Sequence, residues 1–184
     1  MKATGIVRRI DDLGRVVVPK EIRRTLHIRE GDPLEIFTDR DGGVVLRKYS
    51  PLGELAPHAD DVTRAMESAI DGTVVICDRD NVVSVCGEYR REYAARPLSR
   101  QMEAAMENRA ALLIDRESSA RFVPVYEGEN TAALRSEIVR PILSEGQVLG
   151  AVVVLSKNAA RPLGEVESKS AELAALFLSA QLAQ

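Results

Sequence analysis

At 184 residues the chain has room for one large domain or two small ones. A hydrophobic content of 45% against 29% charged residues excludes wholesale disorder. No run approaches the roughly 18 apolar residues of a membrane span and the N-terminus lacks a signal-peptide core, so a cytoplasmic location and no membrane partner are expected. The net charge of -3 is unevenly spread: residues 1–50 carry eleven Lys and Arg against eight Asp and Glu, which leaves -6 for residues 51–184. Such a basic end suits an anionic partner, although a solvated basic face has the same composition.

Residues 5–10 (GIVRRI) read as a strand, residues 11–14 (DDLG) as a turn, and residues 15–18 (RVVV) as a second strand stopped by Pro19. Pro at the first helical turn gives up no needed hydrogen bond, so a short helix follows over KEIRRTL, with Ile22 and Leu26 inward and Arg23 and Arg24 outward. The alternating runs LEIF and VVLR flank Asp41-Gly42-Gly43, a hairpin signal, and this module ends near Tyr49. Four short strands and one short helix bury little surface in a single copy, and a dimer sharing one core is the natural remedy.

The segment MKATGIVRRIDDLGRVVVPKEIRRTLHIREGDPLEIF, with the ending DGGVVLRKYSP, resembles the DNA-binding domain of AbrB-type transition-state regulators, and most closely the stage V sporulation protein T family. The resemblance implies that two chains interleave their hairpins into one swapped β-barrel. It implies a double-stranded DNA partner contacted by Arg8, Arg15, Arg23 and Arg24, with Lys2 and Arg9 as auxiliaries. The chemistry agrees, since arginine presents a rigid fork of donors suited to phosphates and guanine edges. The competing role for each is a surface ion pair with Asp11, Asp12 or Glu21. The function implied is a sequence-selective transcription regulator, activator or repressor, of sporulation genes in the developing spore.

Ser50 and Pro51 can open a helix at the domain boundary, with residues 1–50 forming the DNA-binding domain and residues 51–184 a second one. Leu52, Leu55, Ala59, Val62, Met66 and Ala69 follow at helical spacing, which Pro57 kinks or restarts. Residues 73–78 and 82–86 form strands around the turn DRDN, a helix runs over 98–109, and strands 136–143 and 148–156 close the sheet, with AVVVL apolar enough for a central position. Val166, Ser170, Leu173, Phe177 and Ala180, widened by Ala174 and Leu178, mark a final amphipathic helix. These stripes either pack on the domain's own sheet or join chains in a bundle, and the second reading predicts a tetramer.

The order helix, hairpin, helix, variable loop, hairpin, helix, together with IVRPILSEGQVLGAVVVLSK, resembles a GAF domain. The predicted fold class is therefore two domains, a dimeric AbrB-like swapped-hairpin β-barrel and an α/β GAF-like domain flanked by amphipathic helices. The GAF resemblance implies an unidentified small molecule held between the sheet and a loop over 115–135, or a scaffold whose task is assembly. The loop holds polar residues such as Glu117, Arg121, Tyr126, Glu129 and Arg135 without spelling a nucleotide signature.

No enzymatic pattern is found, and neither a catalytic residue, a metal nor a cofactor is expected. His27 and His58 have no ligand or nucleophile partner at recognisable spacing. Cys77 and Cys86 admit a GAF-like redox enzyme as the alternative, but both lie in apolar strand sequence, where a free cysteine is usually buried. An AbrB-fold antitoxin is the other alternative; its disordered toxin-wrapping tail conflicts with the regular periodicity of residues 51–184.

Overall fold

A computed structural model describes residues 5–182. The chain divides into two compact units, Met1–Tyr49 and Ser50–Gln184. In the first, the turn after Ile10 is organised by one carboxylate: Asp11 Oδ1 accepts from the amides of Leu13 at 3.0 Å and Arg15 at 2.8 Å. Gly14, at φ 76°, closes the turn in the left-handed region that glycine enters without strain. Helix α1 (Lys20–Thr25) follows Pro19, and strands β1 (Leu34–Thr38) and β2 (Val44–Lys48) pair antiparallel with Ile36 opposite Leu46.

The four strands expected of this unit are corrected to two. Residues 5–10 and 15–18 carry no strand assignment, because within one chain neither joins a ladder. Their apolar side chains face outward, with Val7 86% and Val17 69% exposed. The expected inward position of Leu26 is also corrected: it is exposed, and α1 buries no residue at all. A short helix can hide a stripe only where something lies beneath it, and one copy of this unit supplies too little.

The second unit begins at a capped helix. Ser50 Oγ accepts from the Gly53 amide at 3.0 Å and donates to Asp78 Oδ2 at 2.7 Å, which opens α2 (Pro51–Glu54). Leu55 breaks the helix and α3 (Ala56–Ala69) restarts with Pro57 in its first turn, where proline is tolerated. A five-stranded antiparallel sheet follows, in the order β4-β3-β7-β6-β5, from β3 (Thr73–Cys77), β4 (Val82–Cys86), β5 (Leu112–Asp115), β6 (Ser136–Ser144) and β7 (Gln147–Ser156). Strand β7 is central, as its apolar run Ala151–Leu155, fully buried, requires. It crosses β3 so closely at Gly150 that a Cβ there would lie 2.0 Å from the Cys77 carbonyl oxygen, and only glycine fits.

Helices α2, α3 and α6 (Glu165–Leu182) cover one face of this sheet. The other face is covered by α4 (Arg90–Tyr93), α5 (Arg100–Glu107) and the segment before β6. Sequence periodicity had indicated neither α4 nor β5, each only four residues long. The helix expected over 98–109 is shorter because Ser99 is its cap, accepting from the Met102 amide at 3.0 Å.

Candidate nucleic-acid interface

The cations of the first unit gather at two places. Arg8 and Arg9 precede the Asp11 turn and Arg15 follows it, all three exposed. Arg15 Nε donates to Asp11 Oδ2 at 2.8 Å, and its backbone and side-chain hydrogen bonds, in that order, hold the Asp11 carboxyl below the usual range. This ion pair is the surface role weighed against DNA contact from sequence. With 68% of the Arg15 side chain still accessible, the pair is one that solvent or a phosphate can exchange. On α1, Arg24 is exposed. Arg23, expected outward, is half-buried, and its Nε is buried without a hydrogen-bond partner among the described residues. Lys2 lies outside the described residues.

Other cations of the unit are engaged elsewhere. Lys48 reaches Asp32 at 3.2 Å and the His27 carbonyl at 3.1 Å, and Arg47 lies 5.0 Å over the Phe37 ring. The unit thus presents exposed arginines beside exposed valines and isoleucines, and among the described residues no ion pair holds Arg8, Arg9 or Arg24.

In the second unit, α6 has two faces. Ser168, Ala171, Ala174, Ala175 and Leu178 are buried against the sheet, whereas Val166, Leu173, Leu176 and Phe177 are 44–70% exposed. Mostly small residues let the helix approach the sheet, and apart from Leu178 the large side chains named here stay outside. Between α3 and α6 runs an apolar groove of about 430 Å³, lined by Val62, Met66 and Ala69 on one side and Leu173, Ala174 and Phe177 on the other.

The segment between β5 and β6 is tied down by carboxylates. Glu137 Oε2 accepts from the Val123 amide at 2.7 Å, and Glu129 accepts from Tyr93 Oη and the Val125 amide, both at 2.5 Å. Ser99 Oγ donates to the Pro124 carbonyl at 2.5 Å, and Tyr126 Oη donates to Glu92 at 3.2 Å. Both thiols are held above their ordinary value. Cys77 is fully buried, which pushes its thiol up to about 12, and Cys86 is raised by donating to Glu67 Oε2 at 2.9 Å. Among the described residues no group of His, Cys, Asp and Glu could hold a metal ion, and no helix is long and apolar enough to cross a membrane.

Comparison with known proteins covers both units. Residues 54–183 match the family model of the stage V sporulation protein T C-terminal transcription factor, and residues 7–53 match that of the MazE antidote-toxin recognition antitoxins. Over all 184 residues, and the whole of the relative, the chain is 50% identical to stage V sporulation protein T of Bacillus subtilis (strain 168). It is 61% identical over 51 residues to the transition state regulatory protein AbrB of the same organism, which is 28% of this chain and 52% of that protein. The GAF domain/HD domain protein of Geobacter sulfurreducens matches 70% of this chain and 92% of its own at 15% identity and a TM-score of 0.54, a likeness of fold alone.

Proposed function

The chain belongs to the stage V sporulation protein T family of transcription factors, and on that premise we propose that it grips double-stranded DNA as an interleaved dimer through Arg8, Arg15, Arg23 and Arg24, with Lys2 and Arg9 as auxiliaries. The observation that carries this is the pairing, in one 49-residue unit, of exposed arginines with apolar strand sequence that one copy leaves in water. A second copy buries the valines, completes the ladders of residues 5–10 and 15–18, and doubles every cation across a two-fold axis. Full-length protein then controls sporulation genes, as activator or repressor.

The second unit assembles and senses. The α3–α6 groove and the exposed stripe on α6 suit a helical bundle between chains, which joins dimers into a tetramer, and the 116–135 segment is the place for a small-molecule ligand. Two other readings lose their support. A cysteine enzyme needs a reactive thiolate, and burial of Cys77 and the Glu67 contact of Cys86 both oppose one. An antitoxin reading draws on the match over residues 7–53, but the remainder folds into a packed α/β unit.

Fluorescence anisotropy with an operator-length duplex at several salt concentrations tests the DNA assignment. If about six to eight phosphates are neutralised per dimer, log affinity falls against log salt with a slope of about -5 to -7. Arg8, Arg15 and Arg24 replaced together by alanine remove six cations per dimer and should flatten most of that slope, with the thermal midpoint unchanged. Wild-type affinity and slope in the triple variant would refute the assignment.

A further inference from the structure

Among the described residues, Glu137 is the one acidic side chain fully removed from solvent. It stands on β6 beside Ile114 of β5 and Leu155 of β7, and faces the sheet side covered by α5 and the 116–135 segment. One oxygen, Oε2, accepts from the Val123 amide at 2.7 Å. The other, Oε1, is buried with no hydrogen-bond partner among the described residues. A carboxylate in such a place needs several donors or a cation to be tolerated.

The surroundings supply neither. Above it the segment contributes Phe122 and Val123, and α5 contributes Met102 and Met106 to the same apolar cluster. Asp115, at the end of β5, turns its carboxylate to the amides of Glu117 and Ser118. Arg116 is spent on the carbonyls of Leu134 and Ala132 and lies over the Phe122 ring. Lys157 is held by Glu92 at 2.6 Å against the Tyr89 ring. The charged group that does act on Glu137 is Glu129, another carboxylate, which lies beyond Val125 and bonds Tyr93.

We propose that Glu137 is a proton-controlled clamp: as the neutral acid it lets Phe122 and Val123 close over the sheet, and its ionisation favours their release. The proton passes to solvent, and the freed carboxylate is hydrated only when this stretch lifts. The attachments of residues 124–129 to Ser99, Tyr93 and Arg100 hold in both forms, so the movement is confined to the stretch before Pro124. This holds whether or not the segment also binds a ligand.

Burial, opposed in part by the Val123 amide, raises the Glu137 carboxyl from its ordinary value of 4.5 to about 8. The closed form therefore holds a proton that the open form has lost. Opening is favoured by up to about tenfold per pH unit between about pH 5 and pH 8, and levels off above that because both forms are then ionised. The full chain, free of DNA, is followed by hydrogen–deuterium exchange of peptides spanning 117–125, corrected for the intrinsic pH dependence of exchange.

Protection in the wild type should fall through this window, flat in Glu137→Gln and still falling in Glu129→Gln. Equal slopes in wild type and Glu137→Gln, or no slope in the wild type, would overturn the proposal. Should Glu137→Gln fail to fold, carbon-13 NMR titration of the native Glu137 carboxyl decides: a midpoint above about 7 supports the clamp, and one below about 6 ends it.

Discussion

Leu173 and Phe177, both replaced by aspartate, separate the chain's own fold from its assembly. Their side chains are 70% and 44% exposed on the outer face of α6, while the sheet-facing side is built from Ala171, Ala174, Ala175 and Leu178. Full burial of such a side chain contributes about 1.5–3 kcal/mol, and the exposed fractions leave about 2–3 kcal/mol per chain to be gained by a covering partner. Across a two-fold interface the gain doubles to about 5 kcal/mol, or between three and four orders of magnitude in the association constant. Aspartate forfeits that gain and adds buried charge. The expected result in light scattering is a fall from tetramer to dimer at micromolar concentration, with far-ultraviolet circular dichroism unchanged. Binding to long duplexes should weaken by roughly a hundredfold or more through lost avidity, with little change on a duplex that admits one barrel. A double variant that keeps the wild-type mass and still binds long duplexes at wild-type strength would refute the reasoning, and one that unfolds would show that this stripe belongs to the domain's own core.

Two further outcomes follow from the packing. Residues 1–50 alone should melt at a temperature that rises with protein concentration, since their valines find cover only in a second copy; a concentration-independent midpoint with monomer mass in ultracentrifugation contradicts the interleaved dimer. Gly150→Ala should destabilise the second unit by about 3 kcal/mol or more in urea unfolding, because a Cβ 2.0 Å from the Cys77 carbonyl forces β7 away from β3. A loss under about 1 kcal/mol would mean that this crossing yields easily.

Local chemistry carried much of this architecture in the sequence itself. The Asp11 turn, the hairpin around Asp41-Gly42-Gly43, the cap at Ser50, the restart at Pro57 and the central position of β7 all rest on residue types whose preferences act over a few positions. The regular spacing along α6 was equally legible, but spacing alone leaves the direction of a face undecided. Tertiary packing turned the small residues to the sheet and left Leu173 and Phe177 outside. Packing likewise withheld strands from residues 5–10 and 15–18, because a ladder needs a second strand as well as β propensity, and it drew Arg23 partly under cover. The short elements α4 and β5, four residues each, complete one and two periods and leave no periodic trace. Glu137 reads in the sequence as one more polar residue at the start of a strand, and only the closing of Phe122 and Val123 over β6, from fourteen or so residues upstream, makes it a buried acid. Turns, caps and periodicity are set by near neighbours, whereas burial and the state of a charge depend on whatever the rest of the chain brings against them.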